Sequence, residues 1–332
     1  MSNLGAGIAI TGIGSAAPKA ILTNNHLSQI VETSDEWISS RTGMKKRHIA
    51  SNTESLSQIS AQAAQKALSM AGITSADLDL IILATSTPDD LFGSACQVQN
   101  LIGATKAVAF DLTAACSGFI FALITASQFI RTGVYQNVLI IGADVLSRWV
   151  DWSDRNTCVL FGDGAGAVVC QGIEQGDRLL AFEMYSDGSQ NDRLNLTYQG
   201  ESKSLVDNIE VNAGTYQPIT MNGREVYRFA VAKVPEVIEK AMFRANITSE
   251  QIDWLLLHQA NQRIMDAVAQ RLKLPKEKVI SNVSEYGNTS AASIPLALDE
   301  AVRLGKVKPG DIIAASGFGA GLTWGSAIFK WG

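Results

Sequence analysis

The residue with the clearest chemical potential is Cys116. It lies in the run Phe110–Gly118, which reads FDLTAACSG and passes from a short strand through small residues into an apolar helix pattern. A cysteine at the start of a helix meets free backbone amides and the positive end of the helix dipole, and both stabilise a thiolate. A thiolate accepts acyl groups well, because exchange between two thioesters is nearly neutral in free energy. The motif favours a nucleophile, with a small buried core cysteine as the plain alternative.

The other cysteines indicate the compartment rather than the chemistry. Cys96, Cys158 and Cys170 lack the strand-to-helix context, and we expect them in the core. The absence of a C-x-x-C pair disfavours a structural zinc site or a secreted disulfide framework. Reduced thiols and a cytoplasmic protein are therefore expected.

An internal repeat provides possible partners for Cys116. Residues 72–83 read GITSADLDLIIL and residues 246–257 read NITSEQIDWLLL, at a separation of 174 residues. A second pair, Arg131–Gly133 and Arg303–Gly305, is separated by 172 residues, and an apolar strand follows each member. The chain is therefore predicted to consist of two related halves, residues 1–175 with the nucleophile and residues 176–332.

The two separations lead to one histidine and one asparagine. A shift of 172 residues from Cys116 leads to Asn288, and a shift of 174 from Ala84 leads to His258, just after the predicted strand Trp254–Leu257. Loops that follow parallel strands are where α/β sheets place their chemistry. A buried structural histidine and a helix-capping asparagine remain the plain alternatives for each residue alone. Together with Cys116 they predict a Cys-His-Asn site.

The elements that must position these residues are helices alternating with β-rich runs. The helical patterns cover Glu54–Met70 and Arg224–Arg244, and the strands include Val108–Phe110, Val138–Ile141, Leu255–Leu257 and Ile312–Ala314. This alternation predicts mostly parallel sheets covered by helices, in an internally duplicated α/β fold. The stretch 186–223, rich in Gly, Asn and Ser, is predicted to connect the halves and to make surface excursions.

Composition narrows the class of protein. Of 332 residues, 46% are hydrophobic and 18% are charged, which is typical of a compact enzyme with a large core. A formal net charge of −5 argues against binding to nucleic acid. The uncharged run 112–130 approaches membrane-spanning length, but its polar residues favour a helix buried in protein, so no membrane association is expected. Gly12–Ala17 fits the dinucleotide pattern G-x-G-x-x-A, but Pro18 follows at once and argues against that site.

Six motifs in the same order resemble those of the β-ketoacyl-acyl-carrier-protein synthase III family, in the thiolase-like superfamily. They are Thr33–Ile38 with Arg41–Gly43, Asp111–Gly118, Phe161–Ala167, His258–Asn261, Asn288–Ser293 and Gly321–Gly325. The resemblance runs from end to end and implies a thiolase-like fold and a homodimer. It implies that Cys116 accepts an acetyl group from acetyl-CoA and that malonyl-ACP then loses carbon dioxide and attacks it, giving acetoacetyl-ACP. His258 and Asn288 would stabilise the enolate, with no cofactor beyond the substrates.

The resemblance also implies a set of binding residues. Trp37 would stack on the adenine of CoA with Arg155 opposite, Arg41 would pair with phosphate, and Phe92 would close the acyl pocket of the dimer mate. The acyl carrier protein would meet cations near the tunnel mouth, of which Arg263 is favoured over the other two candidates, Arg228 and Arg271.

One turn departs from the family pattern. Many members have three consecutive glycines where this chain has Gly319, Ala320 and Gly321. We expect one backbone N–H of this turn to join that of Cys116 in an oxyanion hole, and an alanine keeps that donor unless its φ must be positive.

Two alternatives lie within the same enzyme class, and one lies outside it. The first is a chalcone-synthase-like polyketide synthase, and the second is a synthase that uses longer or branched acyl primers. The third is a non-catalytic protein that binds acyl groups or their carrier and has kept the fold. A single unusually reactive thiol would separate the enzymes from the binding protein.

Overall fold

The computed structural model describes residues 7–332, which form two five-stranded sheets with helices on their faces. The strands, in chain order, are β1 (Gly7–Ala16), β2 (Ala20–Thr23), β3 (Lys46–Ile49), β4 (Leu80–Ala84), β5 (Val108–Leu112), β6 (Asn137–Asp144), β7 (Gly164–Ile173), β8 (Leu179–Ser186), β9 (Leu194–Asn195), β10 (Tyr198–Val206), β11 (Ile209–Tyr216), β12 (Thr220–Met221), β13 (Trp254–Leu257), β14 (Val279–Ile280), β15 (Ile312–Gly319) and β16 (Thr323–Lys330). The α-helices are α1 (Asn24–Leu27), α2 (Asp35–Thr42), α3 (Leu56–Ala71), α4 (Ala95–Ile102), α5 (Gly118–Arg131), α6 (Arg155–Cys158), α7 (Gly223–Ala245), α8 (Gln262–Arg271), α9 (Val283–Tyr286) and α10 (Ser293–Arg303).

The two large sheets have the same topology. The first has the order β1-β7-β6-β4-β5, and the second, read from β8, has the order β8-β16-β15-β13-β14. In each sheet two neighbouring pairs are parallel and two are antiparallel. The internal duplication is therefore present in the fold, although parallel pairs make up half of each sheet rather than most of it.

The repeated sequence forms the same turn twice. Thr74 and Thr248 each cap a short 3-10 helix with a capping box. The Asp79 Oδ2 accepts the backbone N–H of Asn137 at 2.8 Å, and the Asp253 Oδ2 accepts that of Ile312 at 2.8 Å. In both halves the repeated aspartate thus links the start of one central strand to the neighbouring strand.

The separation of 172 residues holds only at the far ends of one helix pair, α5 and α10. Helices α5 and α10 begin 175 residues apart and end 172 apart, because α10 is shorter. The 3-10 turns that precede them, Ala115–Ser117 and Ser290–Ala292, are also 175 residues apart. The structural counterpart of Cys116 is therefore Ala291, and the prediction that Asn288 occupies the matching position is wrong.

The core lies in three layers around the sheets. Helices α5 and α10 pack between the two sheets, α3 and α4 cover the outer face of the first, and α7 and α8 cover the outer face of the second. The middle layer explains why residues 112–130 carry no charge, since α5 meets apolar side chains from both sheets. Within residues 7–332, no helix combines the length and the apolar character needed to cross a membrane.

Three local expectations need correction or explanation. The stretch 186–223 contains an antiparallel hairpin of β10 and β11 with mostly exposed side chains, and it lies within the second half. The hairpin buries neither face, so it lacks the alternation by which a half-buried strand is recognised. Cys96 is exposed on α4 rather than in the core. Gly12 and Gly14 lie in β1 against the backbone of α3, which accounts for the glycine pattern without a nucleotide.

Candidate active site

One cavity of about 770 Å³ brings the three predicted catalytic residues together. Its wall includes Cys116 from the turn before α5, His258 from the end of β13 and Asn288 from the loop after α9. Each follows or precedes a central element of one half, so the cavity lies where the two halves meet.

Cys116 occupies the middle of the 3-10 turn that leads directly into α5. The turn is bent at Ala115, whose φ of 45° lies in the left-handed region that non-glycine residues rarely adopt. Cys116 is 7% exposed, and burial raises the pKa of its thiol to about 12. The start of the helix opposes that shift, but a thiol so deeply buried still needs a proton acceptor before it can attack.

The turn Gly319–Gly321 lies directly against the nucleophile. A Cβ atom on Gly319 would be 2.6 Å from the Cys116 backbone nitrogen, so any larger residue would displace the cysteine. Gly321 has a φ of 120°, which also requires glycine. Ala320 lies outside the left-handed region. The alanine therefore fits the turn, and its backbone N–H remains a possible donor.

His258 is held from behind by a hydroxyl group. Its Nδ1 lies 2.7 Å from the Ser293 Oγ, and that oxygen also accepts the backbone N–H of Gln259 at 3.3 Å. The Ser293 hydroxyl has no other acceptor among the described residues, so we assign its proton to the bond with Nδ1, which places the ring proton on Nε2. Burial lowers the pKa of His258 to about 3, so the ring is neutral at neutral pH. A neutral imidazole with its proton on Nε2 is a hydrogen-bond donor, not a base that competes for the thiol proton.

Asn288 is fixed through its backbone and its side-chain oxygen. Its N–H donates to the Leu160 carbonyl at 2.9 Å, and its carbonyl accepts the Gly162 N–H at 3.0 Å. The Asn288 Oδ1 accepts the Ser290 N–H at 2.9 Å. Because the oxygen is occupied, the Nδ2 hydrogens are the groups left for a ligand. Gly162 of the motif Phe161–Ala167, together with Leu160 just before it, thus holds the backbone of Asn288 in place.

The three residues expected to hold CoA lie side by side. The guanidinium carbons of Arg41 and Arg155 are 4.7 and 4.9 Å from the ring centroid of Trp37. Trp37 and Arg41 line the cavity, and Arg155 lies next to Asn156, which also lines it. An aromatic ring with two cations close to it suits an adenine and its phosphates.

The three candidate cations for carrier binding differ in their surroundings. Arg228 pairs with Glu225 at 2.8 Å. The Arg271 Nη1 lies 3.4 and 3.3 Å from two carbonyl oxygens of α7. Arg263, exposed at the start of α8, lines the cavity and forms no ion pair with any described residue. Of the three candidates, Arg263 is therefore the cation most available to an acidic partner.

Phe92 lies apart from the cavity of its own chain. Its side chain is 98% exposed in the loop before α4, beside Leu91, which is 81% exposed. Among residues 7–332, Phe92 does not line the cavity that it is expected to close.

Comparison with known proteins decides the family. The model of the 3-oxoacyl-[acyl-carrier-protein] synthase III C-terminal region matches residues 242–331, and that of 3-oxoacyl-[acyl-carrier-protein] synthase III matches residues 110–188. The β-ketoacyl-[acyl-carrier-protein] synthase III of Microcystis aeruginosa strain NIES-843 is 72% identical over 332 residues, covering 100% of both chains. The chain belongs to the β-ketoacyl-acyl-carrier-protein synthase III family. As a synthase III it is an acyltransferase of the condensing type.

Further relatives agree. The synthase III of Trichormus variabilis strain ATCC 29413 is 70% identical, again over 100% of both chains. The crystal structure of the synthase III from Aquifex aeolicus VF5 superimposes with a TM-score of 0.90 at 47% identity, covering 98% of this chain and 100% of that one. The predicted fold class and family are confirmed, and the matches favour synthase III over the chalcone-synthase-like alternative.

Three residues around the synthase III site were missed by the sequence analysis. Ser290 lies 3.4 Å from the Cys116 sulfur, Ser293 holds His258, and Asp144 is buried behind the turn of Ser290. The signal for the two serines was within the motif Asn288–Ser293, where only the asparagine was interpreted. Asp144 ends an apolar strand, and no pattern around it distinguishes it from a strand-end turn residue.

Proposed function

We propose that the protein initiates fatty acid synthesis by condensing acetyl-CoA with malonyl-ACP to give acetoacetyl-ACP and carbon dioxide. The observation that carries this proposal is the convergence of Cys116, His258 and Asn288 on one cavity, with a glycine turn against the nucleophile. The names of the relatives support the carrier protein as a partner. No resident cofactor is required, since the thioester is already activated and loss of carbon dioxide generates the carbanion.

In the first half-reaction Cys116 is acetylated. Its sulfur attacks the thioester carbonyl of acetyl-CoA, and the tetrahedral intermediate expels CoA. The negative oxygen would be bound by the Cys116 backbone N–H and by one N–H of the turn 319–321. Donors placed in advance for a developing oxyanion are usually a large source of rate enhancement.

In the second half-reaction malonyl-ACP loses carbon dioxide and its carbanion attacks the acetyl group on Cys116. Charge develops on the malonyl thioester oxygen, so the site needs two neutral donors rather than a base. The His258 Nε2–H and the Asn288 Nδ2–H groups match this need, because their other polar atoms are already bonded.

Substrate binding follows from the same cavity wall. We assign the adenine of CoA to the face of Trp37, with Arg155 opposite and Arg41 at a phosphate. Arg263 is assigned to the acidic carrier protein, because none of the described residues that line the cavity is an acidic partner for its charge. Exposure of Phe92 supports a homodimer in which a second copy covers this side chain, since large apolar side chains are rarely left so open.

The test is mass spectrometry of the purified protein. Incubation with acetyl-CoA should add one acetyl group, mapped to the Cys116 peptide, and malonyl-ACP should then release acetoacetyl-ACP. Cys116→Ala should abolish both products, whereas Cys96→Ala, which removes an exposed thiol elsewhere, should leave them unchanged. Acetylation of another residue, or an active Cys116→Ala variant, would overturn the proposal. A panel of acyl-CoA primers in the same assay shows whether longer or branched chains are preferred.

A further inference from the structure

A positive charge lies completely buried beside the active site. Arg47, in β3, has no solvent exposure and forms no ion pair with any Asp or Glu among residues 7–332. Burial lowers the pKa of Arg47 to about 10, so the guanidinium is still charged at neutral pH. An unpaired buried cation is costly for a folded protein, so the neutral acceptors around it must compensate for the charge.

One side of the guanidinium holds the segment that fixes Asn288. The Arg47 Nε and Nη2 both donate to the Val159 carbonyl, Nε at 3.0 Å. The next residue, Leu160, provides the carbonyl that accepts the Asn288 N–H at 2.9 Å. The aliphatic stem is also close, since a Cβ atom on Gly287, the residue before Asn288, would lie 3.1 Å from the Arg47 Cγ. Arg47 therefore contacts the chain on both sides of the hydrogen bond that holds Asn288.

The other side of the guanidinium holds helix α2. The Arg47 Nη1 donates to the Oδ1 of Asn24, which is itself buried, at 2.5 Å. The Asn24 Nδ2 donates in turn to the Asp35 Oδ1 at 2.8 Å and to the Met44 carbonyl at 2.9 Å. Asp35 begins α2 and Met44 follows its C-terminal cap, so Asn24 contacts the chain at both ends of this helix.

We propose that Arg47 is a positioning residue that holds the CoA-binding face of α2 and the enolate donor Asn288 in a fixed relation to each other. Trp37 and Arg41 lie on α2, and Asn288 is held through Leu160, so one side chain connects the two ends of the cavity. Their relation matters because the pantetheine arm of CoA has one length, and misplacing reacting groups by about 1 Å can cost about 100-fold in rate. The inference rests on the proposed function, because it uses the roles assigned there to Trp37, Arg41 and Asn288.

Two substitutions separate the two sides of the guanidinium. Arg47→Met keeps an unbranched apolar stem beneath Gly287 and removes every donor, so it releases both sides. Asn24→Ala releases only α2, because the bonds from Arg47 to Val159 remain. We expect Arg47→Met to raise the KM for acetyl-CoA and to slow decarboxylation of malonyl-ACP, each by about tenfold. Asn24→Ala should raise that KM by a similar factor and leave the decarboxylation rate of the acetylated enzyme unchanged.

Arg47→Lys is the conservative variant and Arg303→Lys is the matched control. Arg47→Lys keeps the charge but replaces the flat fork by a single ammonium, so both losses should be smaller than in Arg47→Met. Arg303, at the opposite end of α10 from Ser293, bonds the buried Asp299 at 2.8 Å and the Ile13 carbonyl at 3.4 Å. Arg303→Lys should therefore lower the melting temperature and leave the KM and the decarboxylation rate unchanged.

The measurements are made on protein whose folding is checked by thermal unfolding. The KM is obtained from acetylation of Cys116 by intact mass, and decarboxylation from carbon dioxide release at saturating malonyl-ACP. A purely structural role predicts a lower melting temperature and normal kinetics of the folded protein. Normal kinetics in folded Arg47→Met, or equal losses of decarboxylation in Arg47→Met and Asn24→Ala, would overturn the proposal. If Arg47→Met does not fold, Arg47→Lys takes its place, and an unchanged KM in Asn24→Ala is by itself sufficient to refute the positioning role.

Failure of this proposal differs from failure of the proposed function. A wild-type protein that neither becomes acetylated nor releases carbon dioxide refutes the function, and with it the roles on which the positioning role depends. An active wild type whose Arg47 and Asn24 variants behave like Arg303→Lys refutes only the positioning role. Calorimetry with CoA provides a measurement without catalysis, in which Arg47→Met and Asn24→Ala should each weaken binding by about tenfold.

Discussion

Removing the hydroxyl of Ser293 tests whether this group orients the His258 ring through its Nδ1 atom. Ser293→Ala deletes the 2.7 Å contact with Nδ1 and leaves the Gln259 N–H without its acceptor. A lost buried hydrogen bond costs roughly 1–3 kcal/mol, and without the hydroxyl the ring proton redistributes between Nδ1 and Nε2. We expect decarboxylation of malonyl-ACP to slow about tenfold, which corresponds to about 1.4 kcal/mol. Loss of the whole donor in His258→Ala should cost about 100- to 1,000-fold.

The assay measures the two half-reactions separately. Acetylation of Cys116 is followed by intact mass, and carbon dioxide release from malonyl-ACP is followed on acetylated enzyme. Ser293→Ala should leave acetylation unchanged, because no hydrogen bond joins His258 to Cys116 in the described part of the chain. Asn288→Ala, which removes the other donor, should also leave acetylation unchanged, and it should slow decarboxylation more than Ser293→Ala does. Equal losses in both half-reactions would refute the assignment and indicate a displaced turn instead.

The pH dependence of decarboxylation provides a further criterion for the same histidine. Burial lowers the pKa of His258 to about 3, so the ring is neutral throughout the range from about pH 5 to 8. In the unfolded chain the ring takes up a proton below about pH 6.5. The folded state binds fewer protons there, and its stability falls as the pH drops from that value towards 3. The rate of decarboxylation by the folded enzyme should therefore not fall as the pH drops through about 6.5. A fall near this pH that is seen in the wild type and disappears in His258→Ala would contradict the assignment of His258 as a neutral donor.

Two further predictions concern the cavity wall. Arg263→Glu should raise the apparent KM for malonyl-ACP and leave acetylation unchanged, and added salt should raise the wild-type KM because surface charges act over about 8 Å. Lys306→Glu, an exposed cation beyond α10, is the control, and a carrier KM indifferent to Arg263→Glu and salt would place docking elsewhere. Gly319→Ala should abolish most acetylation and destabilise the fold by about 1–3 kcal/mol, since its Cβ would lie 2.6 Å from the Cys116 nitrogen. Ala320→Gly should be nearly neutral, and normal acetylation in Gly319→Ala would show that the turn does not confine the nucleophile.

Site residues that a local sequence pattern marks could be predicted from the sequence. Contacts that depend only on how the two halves pack could not. Cys116 follows a strand and precedes a helix, and His258 ends the strand of a repeated segment, so both were recognisable. Asn288 was reached through a separation that holds only at the far ends of α5 and α10. The burial that raises the thiol pKa, the contact with Ser290 and the position of Asp144 depend on how the second half packs against the first. None of these features can be predicted from a local sequence period or spacing.

Packing between the halves also explains why the site needs both. The turn Ala115–Ser117 lies against β15 of the second half, where a Cβ atom on Gly317 would be 3.1 Å from the Ser117 Cα. The matching turn Ser290–Ala292 lies against β6 of the first half, where a side chain on Gly142 would overlap the Ala291 carbonyl. Gly142 and Gly317, which are 175 residues apart, thus each leave space for the turn of the opposite half.

The same symmetry separates the chemical roles at the ends of these strands. Gly319 ends β15 and clears room for Cys116, whereas Asp144 ends β6 at the matching place and bonds the Ala291 N–H. The turn of the nucleophile is therefore shaped by a residue without a side chain, and the opposite turn is held by a buried carboxylate. Because each half supports the turn of the other, neither half alone holds a strained turn and its hydrogen bonds in place.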